Sequence, residues 1–154
     1  MQSITEHSAT ITATLPKGDI HAKMEVFYNP VMVSNRNISI LLLNSISNKS
    51  MNIALPLVGS GIRGIRFLNE LKKGKMNHLF VNDIKENFPA YFSTTLSKNN
   101  LNQKKVSIFS QDANIFLMNQ IEQKEKPPKY CGFFDYIDID PFGSPNPFLA
   151  SAIA

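Results

Sequence analysis

The chain has 154 residues, of which 43% are hydrophobic and 18% charged, and its 16 Lys and Arg against 12 Asp and Glu give a formal net charge of +4. This length and composition predict one folded domain with a sizeable core and exclude a disordered chain, while a single cysteine excludes an internal disulfide. The positive charge is compatible with a polyanionic partner without establishing one. Since the sequence has neither a signal-peptide pattern nor an apolar run of roughly 18 residues, we expect a cytoplasmic protein without a membrane association.

The first 30 residues are predicted to form an N-terminal extended arm or hairpin. Residues 9–15 alternate between apolar and polar side chains, which is typical of a strand. A turn is predicted at 17–19 and a returning strand over 22–27, ended by Asn29-Pro30. We therefore expect two segments, an arm over 1–30 and a second domain over 31–154.

From Pro30 onwards, predicted helices and strands alternate. Helices are predicted over 34–47, 62–71, 85–99, 113–123 and 147–154, and strands over 53–58, 78–82, 106–109 and 133–139. This order implies βαβ units and an α/β fold, with a parallel sheet flanked by helices on both faces. The chain ends inside a predicted helix, so we expect a domain that is truncated after its fourth strand.

The first predicted helix has an apolar pattern of its own. Ile38, Leu41, Leu42 and Ile46 recur at helical spacing, which supports the prediction of a helix. Ser34 or Asn35 is expected to cap its first turn.

The loop after the first sheet strand favours a nucleoside-containing cofactor. Gly59-Ser60-Gly61-Ile62-Arg63-Gly64 fits the pattern G-x-G-x-x-G between a strand and a helix, where glycine lets the backbone approach a ligand closely. Asp83 ends the next strand, where a carboxylate can accept hydrogen bonds from ribose hydroxyls. The alternatives are an ordinary strand-to-helix turn and a cap for the following helix.

Asp112 follows the third strand of the predicted sheet. Its carboxylate and the backbone amide of Ala113 can pair with an adenine edge, an arrangement that favours S-adenosylmethionine over a nicotinamide cofactor. A cap for the next helix is the alternative role for Asp112.

The fourth strand leads into Asp138-Ile139-Asp140-Pro141-Phe142-Gly143-Ser144-Pro145. Two prolines and a glycine restrict this loop, which presents a carboxylate and an aromatic ring together. Phe142 can stack on a nucleic acid base, and Asp140 can accept a hydrogen bond from an exocyclic amino group and take up a proton. Asp138 shares a strand face with Asp140, so the two carboxylates are expected to interact. A proline-stabilised turn with a capping aspartate is the alternative.

The remaining charged and metal-binding residue types give less specific signals. Arg63 and Arg66 lie three apart on one helix face, and either could pair with a cofactor carboxylate. A solvated surface pair is an equal alternative. The three histidines lack metal-ligand spacing with one another or with Cys131, so no metal site is predicted.

Five of these segments together resemble the Trm1 family of tRNA (guanine-26-N2) methyltransferases, and the resemblance extends from about residue 20 to the end. The segments are 27–32 (FYNPVM), 35–36 (NR), 61–66 (GIRGIR), 81–84 (VNDI) and 140–145 (DPFGSP). The resemblance implies a Rossmann-like class I fold that uses S-adenosylmethionine and acts on tRNA, with residues 31–154 forming part of the methyltransferase domain.

The resemblance also implies roles for individual residues. Cofactor contacts are implied for Arg36, Arg66, Asp83, Asp112 and Ala113, beside Gly59 and Gly61 of the glycine loop. Phe27 and Phe142 are implied to sandwich the target guanine while Asp140, the catalytic residue, engages its amino group. Family members continue into a second half of the sheet and a C-terminal domain that helps to hold tRNA.

Three functional hypotheses follow. The preferred one is methyl transfer from S-adenosylmethionine to the N2 atom of a guanine in tRNA. The alternative is a truncated, non-catalytic remnant that binds only the cofactor or a partner. A dinucleotide-dependent oxidoreductase is the third hypothesis, which the Asp140-Pro141-Phe142-Gly143 loop disfavours.

Overall fold

The computed structural model describes residues 1–15, 26–122 and 133–154. The strands in these ranges are β1 (Gln2–Glu6), β2 (Ala9–Ala13), β3 (Met51–Leu55), β4 (Met76–Asp83), β5 (Val106–Ser110) and β6 (Tyr136–Ile137). The helices are α1 (Val33–Ser45), α2 (Ile62–Glu70), α3 (Phe88–Lys98), α4 (Ala113–Glu122) and α5 (Asn146–Ile153). None of the helices in the described part of the chain is long and apolar enough to span a bilayer.

The central sheet is parallel, with the strand order β5-β4-β3-β6. Leu55 at the end of β3 lies opposite Val81 of β4, and Val81 lies opposite Ile108 of β5. Since the strands run in one direction, their carboxyl ends meet at one edge of the sheet. The predicted α/β class and the parallel sheet are confirmed.

Helices cover both faces of this sheet. Alternate residues of a strand point to opposite sides, so one strand contributes side chains to two separate cores. Ile53 and Leu55 pack with residues of α1, α2 and α3, whereas Ala54 packs with residues of α4 on the other face. Phe80 continues the second cluster, where Phe116 and Leu117 are almost completely buried. The predicted placement of helices on both faces is therefore confirmed.

The N-terminal hairpin packs into the larger of these two cores. β1 pairs with β2 in antiparallel register, and Ala9, Ile11 and Ala13 are fully buried. The backbone N–H of Thr10 donates to Oδ1 of Asn99 at the end of α3, at 2.8 Å. The predicted strand at 9–15 thus has residues 2–6 as its partner, and the sequence pattern did not identify these residues as a strand. The predicted turn at 17–19 lies outside the described residues, as does most of the predicted strand over 22–27.

Helix α1 exists as predicted, but the apolar residues that recur at helical spacing do not all face the core. Ile38 and Leu41 are 65% and 69% exposed, whereas Arg36 and Ser39 are buried beside Leu43. Arg36 and Ser39 are inside because each has a charged partner there. Arg36 is paired with Glu6, and Ser39 accepts a hydrogen bond from Arg63. The predicted cap at Ser34 or Asn35 was wrong, since a turn of 3-10 helix over Pro30–Met32 precedes α1 and the Asn29 side chain accepts from the Val31 N–H.

Two elements are shorter than the sequence predicted. Of the strand expected over 133–139, β6 covers Tyr136 and Ile137, with the N–H groups of Asp135 and Asp138 on either side donating to carbonyl oxygens of β3. The helix expected from Lys85 begins at Phe88, with Pro89 in its first turn, where the missing N–H costs no hydrogen bond. The residues before it form a turn in which the Lys85 N–H donates to Oδ1 of Asp83.

Candidate functional site

A cavity of about 640 Å³ lies at the carboxyl-end edge of the sheet. Six residues predicted to form the site line it, namely Phe27, Arg36, Gly59, Asp83, Asp140 and Phe142. The parallel topology brings Gly59, Asp83 and the Asp140 loop together, whereas Phe27 and Arg36 precede the sheet and are held by the N-terminal hairpin. Gly61, Arg66, Asp112 and Ala113, which were also predicted, are not among its lining residues.

The two glycines of the loop after β3 have different roles. Gly59 has φ +58°, and a Cβ added there would meet no atom within 4 Å, so its backbone faces open space in the cavity wall. Gly61 has φ +75°, and its added Cβ would lie 2.6 Å from Cε2 of Phe92 in α3. Gly59 thus allows a ligand to approach, whereas Gly61 allows α2 and α3 to pack closely.

Asp83 connects the glycine loop to the end of β4. Its Oδ2 accepts from the Gly59 N–H at 3.0 Å and its Oδ1 from the Lys85 N–H at 3.1 Å. Each carboxylate oxygen can accept more than one hydrogen bond, so the two hydroxyls of a ribose can still be bound. The alternative role of Asp83 as a cap for α3 is not observed. The N-cap position of α3 is Asn87, and Asp83 lines the cavity.

Asp112 lies beside the site, and its side chain has the predicted alternative role. Its Oδ1 accepts from the backbone N–H groups of Asn114 and Ile115, which caps the first turn of α4. Ala113 is buried next to it. The end of β5 is held near the glycine loop by the fully buried Asn82, whose Nδ2 donates to the carbonyl oxygens of Pro56 and Gln111.

Arg36 lines the cavity and is held from behind by Glu6 of β1. Nε of Arg36 lies 2.9 Å from Oε1 of Glu6, and Tyr28 donates its hydroxyl to the same carboxylate at 2.7 Å. Burial by itself raises the pKa of Glu6, but hydrogen bonds from Arg36, Tyr28 and Arg66 outweigh it and lower the pKa to about 2. No pattern in the sequence indicated Glu6, which is 30 residues away from its partner.

Arg66 is not brought to the cavity. Its Nη1 donates to Glu6 at 2.7 Å, while Nε and Nη2 donate to Glu70 at 2.9 and 2.7 Å. The side chain is 2% exposed; burial by itself lowers the pKa of its guanidinium, but the hydrogen bonds to Glu70 and Glu6 outweigh it and raise that pKa. Arg66 therefore joins the hairpin to α2, and the surface-pair alternative was wrong for both arginines of this helix.

Arg63 is the cavity residue whose role the sequence left undecided. It is 7% exposed and forms ion pairs with Asp138 at 3.2 Å and Asp140 at 3.0 Å. Burial raises the pKa of Asp138. Arg63 and the hydrogen bond from Tyr136 act to lower it, but the effect of burial is larger. The expected proximity of the two aspartates is thus achieved through a shared cation.

Phe27 and Phe142 face each other at the cavity. Their ring centroids lie 5.1 Å apart with 37° between the ring planes, and Phe142 is 53% exposed. Phe27 is held by backbone hydrogen bonds on either side of it, from Thr14 N–H to Val26 and from Tyr28 N–H to Thr14. Two aromatic rings thus lie in contact with each other beside the Asp140 loop.

Comparison with known proteins gives one consistent result. The family model for N2,N2-dimethylguanosine tRNA methyltransferase matches residues 2–154. A tRNA (guanine(26)-N(2))-dimethyltransferase of Methanobrevibacter smithii is 43% identical over 136 residues, which cover 86% of this chain and 31% of that protein. Its counterpart in Methanococcus aeolicus is 37% identical over 164 residues, covering 99% of this chain and 39% of that one.

The fold agrees with these sequence matches. The structure of Trm1 from Pyrococcus horikoshii in complex with S-adenosyl-L-methionine is 29% identical, with a TM-score of 0.76 over 99% of this chain and 39% of that one. The chain spans roughly a third of the length of the curated relatives it matches. It belongs to the family of N2,N2-dimethylguanosine tRNA methyltransferases.

Proposed function

We propose that this protein binds S-adenosylmethionine and transfers its methyl group to the N2 atom of a guanine in tRNA, at the position 26 for which its relatives are named. The observation that carries the proposal is the Asp140 carboxylate, 46% exposed at the cavity between the aromatic pair and the glycine loop. Cytoplasmic tRNA is the expected partner.

The cavity residues fit the cofactor. A volume of about 640 Å³ is within the range of roughly 300–1,000 Å³ that is usual for small-molecule sites. Asp83 offers a carboxylate to the ribose, the open backbone at Gly59 allows close approach, and Arg36 offers a cation to the carboxylate of the methionine part. Bound there, S-adenosylmethionine supplies an electrophilic methyl group on a positively charged sulfur.

The Phe27 and Phe142 rings can hold a planar base between them once they move apart. A base between two aromatic faces requires about 7 Å between them, since each stacked contact takes at least 3.5 Å. The observed 5.1 Å is shorter, so the rings must separate when the base enters. Base–aromatic contact then contributes on the order of 1–3 kcal/mol and orients the guanine edge towards Asp140.

Asp140 directs the amino group. The lone pair of the guanine N2 is conjugated with the ring, so its position and direction matter more than its basicity. By accepting one N–H of the amino group, Asp140 turns the nitrogen towards the methyl group. The new N–CH₃ bond forms as the S–CH₃ bond breaks with its electron pair left on sulfur, and Asp140 takes up the proton that the nitrogen releases.

Transfer of labelled methyl groups to an unmodified tRNA transcript tests the proposal. We expect incorporation with guanosine at position 26 and none when inosine stands there, because inosine lacks only the 2-amino group. Incorporation that is equal for the two transcripts would contradict the assigned target atom. If the protein bound S-adenosylmethionine but transferred no methyl group, the alternative of a non-catalytic chain that only binds the cofactor would be supported instead.

A further inference from the structure

Arg63 is positioned at the base of the cavity, in the first turn of α2. Its Nη1 lies 2.8 Å from Oγ of Ser39 and 3.2 Å from Oδ2 of Asp138. Its Nη2 lies 2.7 Å from Oδ1 of Asn35 and 3.0 Å from Oδ2 of Asp140. The guanidinium therefore connects α1 with the segment that follows β6.

The two carboxylates that share this cation differ in exposure. The Asp138 side chain is 10% exposed and that of Asp140 is 46% exposed. A buried guanidinium is costly unless it is paired, and two carboxylates with two neutral acceptors provide that pairing. Arg63 thus holds Asp140 from the protein side while Asp140 remains accessible from the cavity.

The hydrogen-bond donors of Arg63 are nearly all used. The two terminal nitrogens carry four N–H bonds, and each nitrogen has two acceptors within reach. A ligand carboxylate could not form a forked pair with Arg63 without displacing these partners. The geometry therefore disfavours a cofactor contact through this arginine, although it lies in the cavity wall.

We infer that Arg63 is a positioning residue for methyl transfer, which fixes Oδ2 of Asp140 so that Oδ1 is presented to the amino group of the guanine. This inference rests on the proposed function. A planar fork is required because one side chain must reach two carboxylates at once, which a point charge cannot do in the same geometry. Asn35 supports the arrangement by fixing the nitrogen that holds Asp140.

Arg63→Lys tests the inference by keeping the charge while removing the fork. We expect the single-turnover rate of methyl transfer to fall by about 100-fold, since small displacements of a reacting group have effects of this size. The affinity for S-adenosylmethionine, measured by calorimetry, should stay unchanged. Asn35→Ala should lower the rate by less. An affinity loss that accounts for the whole fall in rate would overturn the inference, because Arg63 would then act on the cofactor.

A double-mutant cycle asks whether Arg63 acts through Asp140. Combining Arg63→Lys with Asp140→Asn should give little further loss beyond Asp140→Asn alone, because both changes remove one interaction. Losses that add fully would overturn the inference.

Nitrogen-15 NMR tests the contact between Arg63 and Asp140 in folded protein without any measurement of activity. A held guanidinium rotates slowly, so Arg63 should show separate Hη resonances in nitrogen-15 NMR of the unmodified protein. Asp140→Asn should shift the Nη2 pair, whereas Glu70→Gln, which affects Arg66, should leave it unchanged. Unchanged Arg63 resonances in Asp140→Asn would overturn the inference. Absence of transfer by the unmodified protein would count against the proposed function alone.

Discussion

Glu6 and Arg36 form a buried ion pair, with Nε of Arg36 2.9 Å from Oε1 of Glu6 and side-chain exposures of 3% and 6%. The first strand of the hairpin thereby fixes an arginine that lines the cavity. Because Arg66 donates to the same carboxylate, Glu6 holds two guanidinium groups.

Glu6→Gln is expected to destabilise the protein by about 3 kcal/mol, since breaking a buried pair leaves an uncompensated charge. Urea unfolding at neutral pH measures the change in free energy of unfolding. Glu70→Gln is the matched control, because Glu70 contacts Arg66 alone of the arginines and is 20% exposed, so its loss should be smaller. Equal losses in the two variants would contradict the central role of Glu6.

The low pKa of Glu6 also predicts how stability depends on pH. Its pKa is about 2 in the folded protein against an ordinary value of 4.5, so the folded state binds fewer protons. The stability that this carboxylate contributes is present above pH 4.5 and is lost as pH falls towards 2. The difference in unfolding free energy between the unmodified protein and Glu6→Gln should therefore shrink across that window. A difference that grows on acidification would contradict the assignment.

Alanine at the two loop glycines should have separable effects. Gly61→Ala places Cβ 2.6 Å from Phe92 in a left-handed conformation, so we expect a loss of about 2–4 kcal/mol from overpacking and backbone strain together. Gly59→Ala has the strain without the contact and should cost about 1–2 kcal/mol.

Calorimetry with S-adenosylmethionine completes this comparison. Gly59→Ala should weaken binding because its methyl group enters the cavity, whereas folded Gly61→Ala should retain affinity. The reverse ranking of the two affinities would exclude the proposed role of Gly59.

Removal of either cavity ring should affect the tRNA and not the cofactor. Phe27→Ala and Phe142→Ala should each lower kcat/KM for tRNA by about 10-fold or more, the equivalent of one lost base–aromatic contact. The affinity for S-adenosylmethionine should remain unchanged. Val31→Ala, at a side chain that is 83% exposed and outside the cavity lining, is the control. Normal tRNA kinetics in both phenylalanine variants would show that the rings do not hold the base.

Some of this site follows from local sequence patterns. Strand–helix alternation identifies the parallel sheet, and the carboxyl ends of its strands then contain Gly59, Asp83 and Asp140. The cavity brings these three residues together as that topology requires. Phe27, in contrast, was placed at the site only by the family resemblance.

Contacts between distant segments could not be predicted in this way. The partners of Arg36 and Arg63 lie 30 and 77 residues away in sequence at Glu6 and Asp140, and no periodicity connects them. The same contacts explain which face of α1 is buried. Its polar residues turn inwards to reach buried ionic partners, and Ile38 is left exposed, which is the reverse of the apolar pattern.

The central claim is that the Asp140 cavity methylates guanine N2, and nucleoside mass spectrometry of a treated tRNA transcript tests it most directly. We expect N2-methylated guanosine to form with the unmodified protein and its yield to fall by at least about 100-fold with Asp140→Asn, which loses the proton acceptor and the orienting charge. Undiminished N2-methylguanosine with Asp140→Asn, or methylation of another atom by the unmodified protein, would contradict the account.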